Sequence, residues 1–388
     1  MGNKMEDLLK KKFSRKEFLR DGCLFCLGGA LSYSVLDMFI QKTAWAKNSD
    51  SFFRYEAKFY KKIDEQTVQC ELCPQKCTMK NGMRSFCRAR EPKDGKLYSL
   101  VYGKVCAVHI DPIEKKPLFH FLPGSSIFSI ATAGCNYRCK FCQNWQISQF
   151  PPEETFNQEL APKEVVNQAI RNNCPSVAYT YTEPSIFFEY MLDTARQAKI
   201  RGLRNMYHSN GSLNPQAVEE VSLYLDAADI DLKAFTQEYY SEVCAGNLET
   251  VLETLKILKK NKVWLEITTL VVPGLNDDLD KIKQMCLWIK ENLGHDVPLH
   301  LSRFMPQYKL TSLNPTPVEV LEKAREAALS AGLNFVYIGN VPGHIGENTY
   351  CPACKKTLIQ RRGFTILSND IAGGKCKFCG KEIPGVWS

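Results

Sequence analysis

The stretch Thr132–Trp145, TAGCNYRCKFCQNW, sets cysteines at 135, 139 and 142. Three thiols in a C-x3-C-x2-C pattern fall one ligand short of a closed structural zinc site, which takes four. An iron–sulfur cube also normally takes four thiolates. Held by three, it keeps one iron open to a substrate or cofactor. A structural zinc with a remote fourth ligand fits the same spacing, as does a set of reactive thiols. Within the stretch, Phe141 can shield a cluster from water, and Arg138 and Lys140 can offset its negative charge.

The stretch follows SIFSIAT (126–132), the first of a series of short strand-like runs. SVAYTYTE, RNMYHSN, AADIDLKAF, VWLEITTLVV, PLHLSRF and NFVYIGN continue the series to about Val341. Amphipathic helical segments lie between them. APKEVVNQAI carries Pro in its first turn, and Asn214 opens NPQAVEEVSLYL as a helix cap. LETVLETLKILKKN sets Val251, Leu255 and Leu258 on one face, and three other helices end at Gly202, Gly294 and Gly332. Consecutive strand–helix units imply a parallel sheet closed into a barrel or part-barrel. In such folds the chemistry sits at the C-terminal ends of the strands. Those ends are polar here: Tyr181-Thr182-Glu183-Pro184, His208-Ser209-Asn210-Gly211, Asp229, Asp231 and Lys233, Pro273 to Asp277, then His300 and Arg303.

A cysteine triplet after the first strand of such a barrel resembles the radical S-adenosylmethionine (SAM) enzymes. AGCNYRCKFCQNWQIS looks most like the branch of the pyruvate formate-lyase activating enzymes. With DPIEKKPLFHFLPG, YTEPSIFFEY, DIDLKAF, VVPGLND and the cysteine-rich ends, the pattern is similar to the radical SAM component of AmmeMemoRadiSam systems, over residues 55 to 388. The resemblance implies an α/β fold, a (β/α)6-type partial TIM barrel with a cysteine-rich N-terminal cap and a zinc-ribbon-like C-terminal extension. It implies a [4Fe-4S] cluster on Cys135, Cys139 and Cys142 whose open iron is chelated by SAM. Thr182 and Glu183 then match the motif that receives the SAM amino group, although this chain has Tyr-Thr-Glu-Pro where many members have Gly-Gly-Glu-Pro. Asp231 and Lys233 match the Asp-x-Lys motif that helps hold SAM. Asn210 is expected among the polar SAM contacts, and His300 and Arg303 near the adenosine. The implied reaction is reductive cleavage of SAM to a 5′-deoxyadenosyl radical, which abstracts hydrogen from a protein or peptide substrate. An electron donor such as ferredoxin or flavodoxin would supply the electron.

Seventeen cysteines are too many for scattered core residues. Besides the triplet, Cys351, Cys354, Cys376 and Cys379 form two C-x2-C knuckles separated by twenty-one residues, a zinc-ribbon pattern. Such a ribbon is expected to fold as a separate unit with the metal supplying most of its stability. Cys70, Cys73, Cys77 and Cys87 form a second four-thiol set for zinc or an iron–sulfur cluster, which spacing cannot separate. The other six, Cys23, Cys26, Cys106, Cys174, Cys244 and Cys286, read as buried free thiols. Residues 96–110 alternate like a strand pair capping the barrel, and Lys115-Lys116 reads as a surface loop.

The net charge of +8 sits at the ends. Residues 1–46 hold eight Lys/Arg against five Asp/Glu, +3, and residues 351–388 hold seven against two, +5. The near-neutral middle argues against a nucleic-acid groove on the main domain. Residues 1–46 read as a targeting segment: a basic start, a weakly apolar run and an Ala44-x-Ala46 cleavage pattern. Ser14 to Leu19 resembles a twin-arginine (Tat) motif with Lys16 in place of the second arginine. An attached amphipathic helix is the other reading. Gly28, Gly29 and Asp37 interrupt the run, so no stable membrane span is expected. The expected domains are thus 1–46 targeting, 47–121 cap, 122–343 barrel and 344–388 zinc-ribbon-like module. Export by the Tat route sits awkwardly with SAM and low-potential electrons, which are cytoplasmic supplies. Competing readings are radical modification of a small molecule, and a non-catalytic metal-binding adaptor that leaves Glu183 and the triplet without a role.

Overall fold

Each of the seven apolar runs between 126 and 340 forms a strand in the computed structural model, which describes residues 55–388. The targeting-segment reading of residues 1–46 lies outside them. The main sheet has eight strands: β1 Ala107–Pro112, β2 Ser126–Ala131, β3 Ser176–Tyr179, β4 Arg204–Ser209, β5 Ala227–Asp231, β6 Trp264–Val271, β7 Leu299–Arg303 and β8 Val336–Gly339. They are ordered β8 through β1 in sequence, with β2 to β8 parallel and β1 antiparallel to β2. β1 and β8 are the two edges and do not pair, so the curved sheet is a partial barrel. The central strands are buried along most of their length, as a parallel sheet covered by helices requires.

Six helices follow the strands: α1 Pro162–Arg171, α2 Phe188–Ile200, α3 Pro215–Ser222, α4 Leu248–Lys260, α5 Leu279–Leu293 and α6 Val318–Ser330. Proline occupies the first turn of α1 and α3, where no intrahelical N–H is lost. Asn247 caps α4 by accepting from Thr250 N, and Asp278 caps α5 by accepting from Asp280 N and Lys281 N. α4 buries Val251, Leu252, Leu255 and Leu258 against the sheet, each burial contributing roughly 1.5–3 kcal/mol. Asn214 departs from its expected role. Its side chain donates to Glu71 O at 2.6 Å and ties α3 to the cysteine-rich cap instead of capping the helix. Among the described residues no helix is long and apolar enough to cross a membrane.

Residues 96–110 do not form one strand pair. Lys96–Ser99 joins a small sheet of the cap with Arg90–Lys93 and Tyr55–Glu56, whereas β1 extends the barrel. The break falls at the turn through Gly103, whose φ is +68°. Beneath the strand starts, Ile113, Leu118 and Phe121 pack with Ile127, Ala178, Met206 and Ala227 and close the floor of the barrel.

The C-terminal module is not a separate core. Its strands Thr349–Tyr350, Thr357–Arg362 and Thr365–Asn369 form an antiparallel sheet. Leu358, Ile359, Cys351 and Cys376 share one apolar cluster with Phe119 of the floor and Phe335 and Tyr337 of the β8 edge. Buried Arg361 donates to Phe119 O at 2.9 Å and lies 4.1 Å over the Phe119 ring. Val386 N donates to His120 O at 2.7 Å.

Candidate functional site

The C-terminal ends of the strands open into one cavity of about 580 Å³. The loop after β2 brings Cys135, Cys139 and Cys142 onto its wall, together with Phe141 and Asn144. β3 leads into Thr182 and Glu183, β4 contributes His208 and leads into Asn210, and β5 supplies Asp231 followed by Lys233. β6 and β7 contribute Thr268, Leu270 and Ser302. Residues from these six parts of the chain thus meet where a parallel barrel concentrates its chemistry.

The three thiols fit an iron–sulfur cluster. All three line the cavity, yet their sulfurs are not gathered within 4.8 Å of one another, as ligands of a single ion would be. Tyr137 N donates to Cys135 Sγ at 3.3 Å, Ser148 Oγ lies 3.2 Å from Cys142 Sγ, and Asn210 Nδ2 lies 3.9 Å from Cys135 Sγ. The Cys244 thiol hydrogen-bonds to Cys139 and draws it below the usual thiol range. Arg138 turns away from the cavity, donating to the carbonyls of Cys135, Tyr137 and Phe86 and stacking 3.9 Å over the Phe86 ring.

Glu183 is 1 % exposed and its carboxylate is already engaged. It accepts from Ser185 N at 3.0 Å, Ser209 Oγ at 2.8 Å and Asn210 N at 2.8 Å. Burial raises its pKa and these donors work against the rise. Its present role is to clamp the end of β4 to the end of β3, with Asn210 presented to the cavity. Thr182 donates to Thr132 O at 2.7 Å and joins the ends of β2 and β3.

Asp231 and Lys233 pair at 2.8 Å. His208, which the sequence shows only as one polar strand end, connects this pair to a deeper carboxylate. Its Nδ1 lies 2.5 Å from Asp229 Oδ2 and its Nε2 3.7 Å from Asp231 Oδ2. Asp229 also accepts from Thr268 Oγ1 at 2.9 Å. Burial opposes a charge on His208, but Asp231 and Asp229 outweigh it and raise the imidazole to about 9. Against burial, Lys233 and His208 hold Asp231 below the usual carboxylate range. The cavity therefore presents an ionised carboxylate flanked by two cations.

His300 and Arg303 do not line the cavity. His300 points into the barrel, but two residues below Ser302, the β7 residue that reaches the cavity. It is buried, with Nε2 2.7 Å from Glu266 Oε2 and its ring stacked 5.1 Å from Tyr337. Glu266 also accepts from the backbone N–H groups of Phe119 and His120 in the floor. Arg303 has the opposite strand parity, and its Nε donates to Thr316 O at 2.8 Å. Neither residue is therefore among those lining the cavity, His300 by its depth and Arg303 by its strand parity.

Lys116 is a correction in the other direction. It is 2 % exposed rather than a surface residue, and it lines the cavity with Lys115. Its Nζ lies 2.6 Å from Asp111 Oδ2 and 4.2 Å over the Tyr181 ring, while Tyr181 Oη donates to Asp111. Tyr181 has a left-handed φ of +64°, held by Asn144 Nδ2 donating to its carbonyl at 2.7 Å. A β1 carboxylate with a partner at 181 carries no short-range signal in the sequence.

The C-terminal cysteines are placed so that they could hold one tetrahedral metal ion. All four sulfurs lie within 4.8 Å of one another. Cys351–Cys379 and Cys354–Cys376 are separated by 3.7 and 3.8 Å, against an edge of about 3.8 Å for four metal–sulfur bonds of about 2.3 Å.

Residues 129–286 match the model of the radical SAM superfamily. An uncharacterized protein of Methanocaldococcus jannaschii is 49% identical over 333 residues, 85% of this chain and 99% of that protein. This chain belongs to the radical SAM superfamily. Its membership agrees with the parallel α/β barrel and with the triplet after the first parallel strand, and it implies SAM and an iron–sulfur cluster as cofactors. A second relative from the same organism, with the provisional name glycyl-radical enzyme activating enzyme, is 27% identical over 154 residues, 38% of this chain and 62% of that protein. Among solved structures, a domain of pyruvate-formate lyase-activating enzyme from Bacteroides vulgatus aligns with 42% of this chain and 99% of that one, at 19% identity and a TM-score of 0.38.

Proposed function

We propose that this radical SAM protein is an activating-enzyme-like oxidoreductase that abstracts hydrogen from a protein or peptide, the AmmeMemoRadiSam likeness forming part of the reading. The observation that carries it is the meeting of Cys135, Cys139 and Cys142 with Asn210, Asp231 and Lys233 around one cavity. Bound there, a reduced [4Fe-4S] cluster and SAM supply reductive cleavage to methionine and a 5′-deoxyadenosyl radical. Cys135, Cys139 and Cys142 hold the cluster. Asn210 and the ionised Asp231 offer an amide and a carboxylate to the polar groups of SAM, and charge-assisted contacts of this kind are the strong ones. Lys233 keeps Asp231 charged and lies 5.5 Å from the Phe141 ring, which covers the triplet loop. Phe141 and Leu270 exclude water where an open radical would be quenched. Lys116 and Tyr181 line the same cavity and offer a cation and an aromatic ring to a substrate.

The cavity is too small to admit a folded partner, so a protein substrate enters as an extended segment or a single residue. The relative named for activation of glycyl-radical enzymes supports a macromolecular substrate over a small molecule. An electron donor of the ferredoxin or flavodoxin class completes the system. The test is anaerobic reconstitution with iron and sulfide, followed by assay of 5′-deoxyadenosine from SAM in the wild type and in Cys139→Ala. Product is expected only from the wild type, with the C-terminal metal retained in both. Equal yields from the two proteins would refute the reading. Transfer of deuterium from a labelled polypeptide substrate into 5′-deoxyadenosine would establish the substrate class.

A further inference from the structure

Cys70, Cys73, Cys77 and Cys87 line a second, enclosed cavity behind the triplet loop. The cap strands Tyr60–Lys62, Thr67–Cys70 and Thr78–Lys80 fix their positions. Cys70 N donates to Cys77 O at 2.9 Å, which closes the loop between them. Phe86 N donates to Cys77 Sγ at 3.4 Å, and Ser85 Oγ lies 3.1 Å from Cys87 Sγ. A backbone N–H is thus aimed at one of the four sulfurs, and a hydroxyl stands within hydrogen-bond reach of a second.

The spread of these sulfurs separates one ion from a cluster. A single tetrahedral metal gathers its thiolates to about 3.8 Å from one another, as at the C-terminal site. Among the described residues only that site brings three or more ligand atoms within 4.8 Å. The four cap thiols face one cavity but are held farther apart. That is the arrangement for a polynuclear centre, in which each thiolate binds its own corner.

A second, independent feature is Arg90. It is 1 % exposed and lines the same cavity. Its terminal Nη2 grips both oxygens of Glu189 at 2.9 Å, and its Nε–H has no acceptor. A buried unpaired donor is costly, and an anionic cluster rich in sulfur would accept it.

We propose that Cys70, Cys73, Cys77 and Cys87 hold a second iron–sulfur cluster, separate from the one expected at Cys135, Cys139 and Cys142. The two sites share a wall. Asn136, next to Cys135, lines the cap cavity and accepts from Gln75 Nε2 through its carbonyl at 3.2 Å. Gly134, with φ of +104°, lies so close to the cap that a Cβ on it would stand 2.5 Å from Cys87 O.

The test uses the full chain carrying Cys135→Ala, Cys139→Ala and Cys142→Ala, reconstituted anaerobically with iron and sulfide in the presence of zinc. SAM cleavage is lost in this protein by design, so the result does not depend on the proposed activity. Retention of about four irons per chain, with an iron–sulfur Mössbauer signature and metal still at the C-terminal site, is the expected result. Adding Cys73→Ala and Cys77→Ala should remove that iron. Two zinc ions and no iron per chain, or no metal beyond the C-terminal site in a chain with native circular dichroism, would overturn the proposal. If the triple variant does not fold, the wild-type Mössbauer spectrum decides: two clusters support the proposal and one cluster overturns it.

Discussion

Lys116 and Asp111 form an ion pair on the cavity wall, 2.6 Å apart, with side chains only 2 % and 5 % exposed. Lys115 holds the other Asp111 oxygen at 2.8 Å, and Tyr181 donates to the oxygen that Lys116 holds. Burial draws Lys116 down to about 8 even though Asp111 pulls it upward. Its charge therefore depends on that one carboxylate.

Removing the two partners should have unequal effects. Asp111→Ala leaves Lys116 buried without a counter-ion, a loss of about 3–5 kcal/mol. Lys116→Met keeps the stem's packing and leaves Asp111 its bonds to Lys115 and Tyr181, a loss of roughly 1–2 kcal/mol. Paired denaturant melts measure both. Equal losses would show that Lys116 does not rely on Asp111.

His208 should make stability depend on pH. Its folded pKa of about 9 lies above the ordinary value of 6.5, so the folded chain holds this proton more tightly than the unfolded one. The contribution is complete below about pH 6.5 and disappears as pH rises through 9, and it amounts to at most about 3 kcal/mol. The difference in melting temperature between wild type and His208→Gln should shrink steadily from pH 6 to pH 9.5. A difference that is flat with pH would mean His208 is neutral in the folded chain.

Glu183→Gln should act through position. The substitution preserves shape but removes the charge behind three hydrogen bonds, each on the order of 1.5–3 kcal/mol. Because those bonds hold Ser209 and Asn210, melting temperature and SAM affinity should fall together, with iron content unchanged. Calorimetric titration with SAM beside a thermal melt checks this. Lost affinity at an unchanged melting temperature would assign Glu183 a direct ligand contact instead.

Disrupting the C-terminal cysteine cluster should destabilise the barrel as well as the module. Tyr337 of β8 bonds His120 Nε2 at 2.6 Å and Thr349 Oγ1 at 2.9 Å, so the floor, the sheet edge and the module share one polar contact. Cys351→Ser with Cys354→Ser is expected to lower the melting temperature of the whole chain by several degrees. A barrel transition unchanged in calorimetry would show that the module folds independently.

The sequence by itself determined what depends on neighbours along the chain. Alternating apolar runs placed every parallel strand, because side-chain direction repeats every two residues in a strand. Pro162 marked the start of α1 because the first turn has no intrahelical N–H to lose. The C-x3-C-x2-C and paired C-x2-C spacings marked metal sites because knuckle ligands are local. Tertiary structure decided what depends on depth and on distant partners. His300 has the correct inward parity, but only the stagger of the barrel shows that Ser302, not His300, reaches the cavity. Lys116 reads as a surface residue until the sheet brings Asp111 and Tyr181 to it, seventy residues apart in the chain. The cap and C-terminal cysteine sets both offer four thiols, and only the folded chain shows that the C-terminal four gather within 4.8 Å of one another while the cap four line a cavity with Arg90 and Asn136.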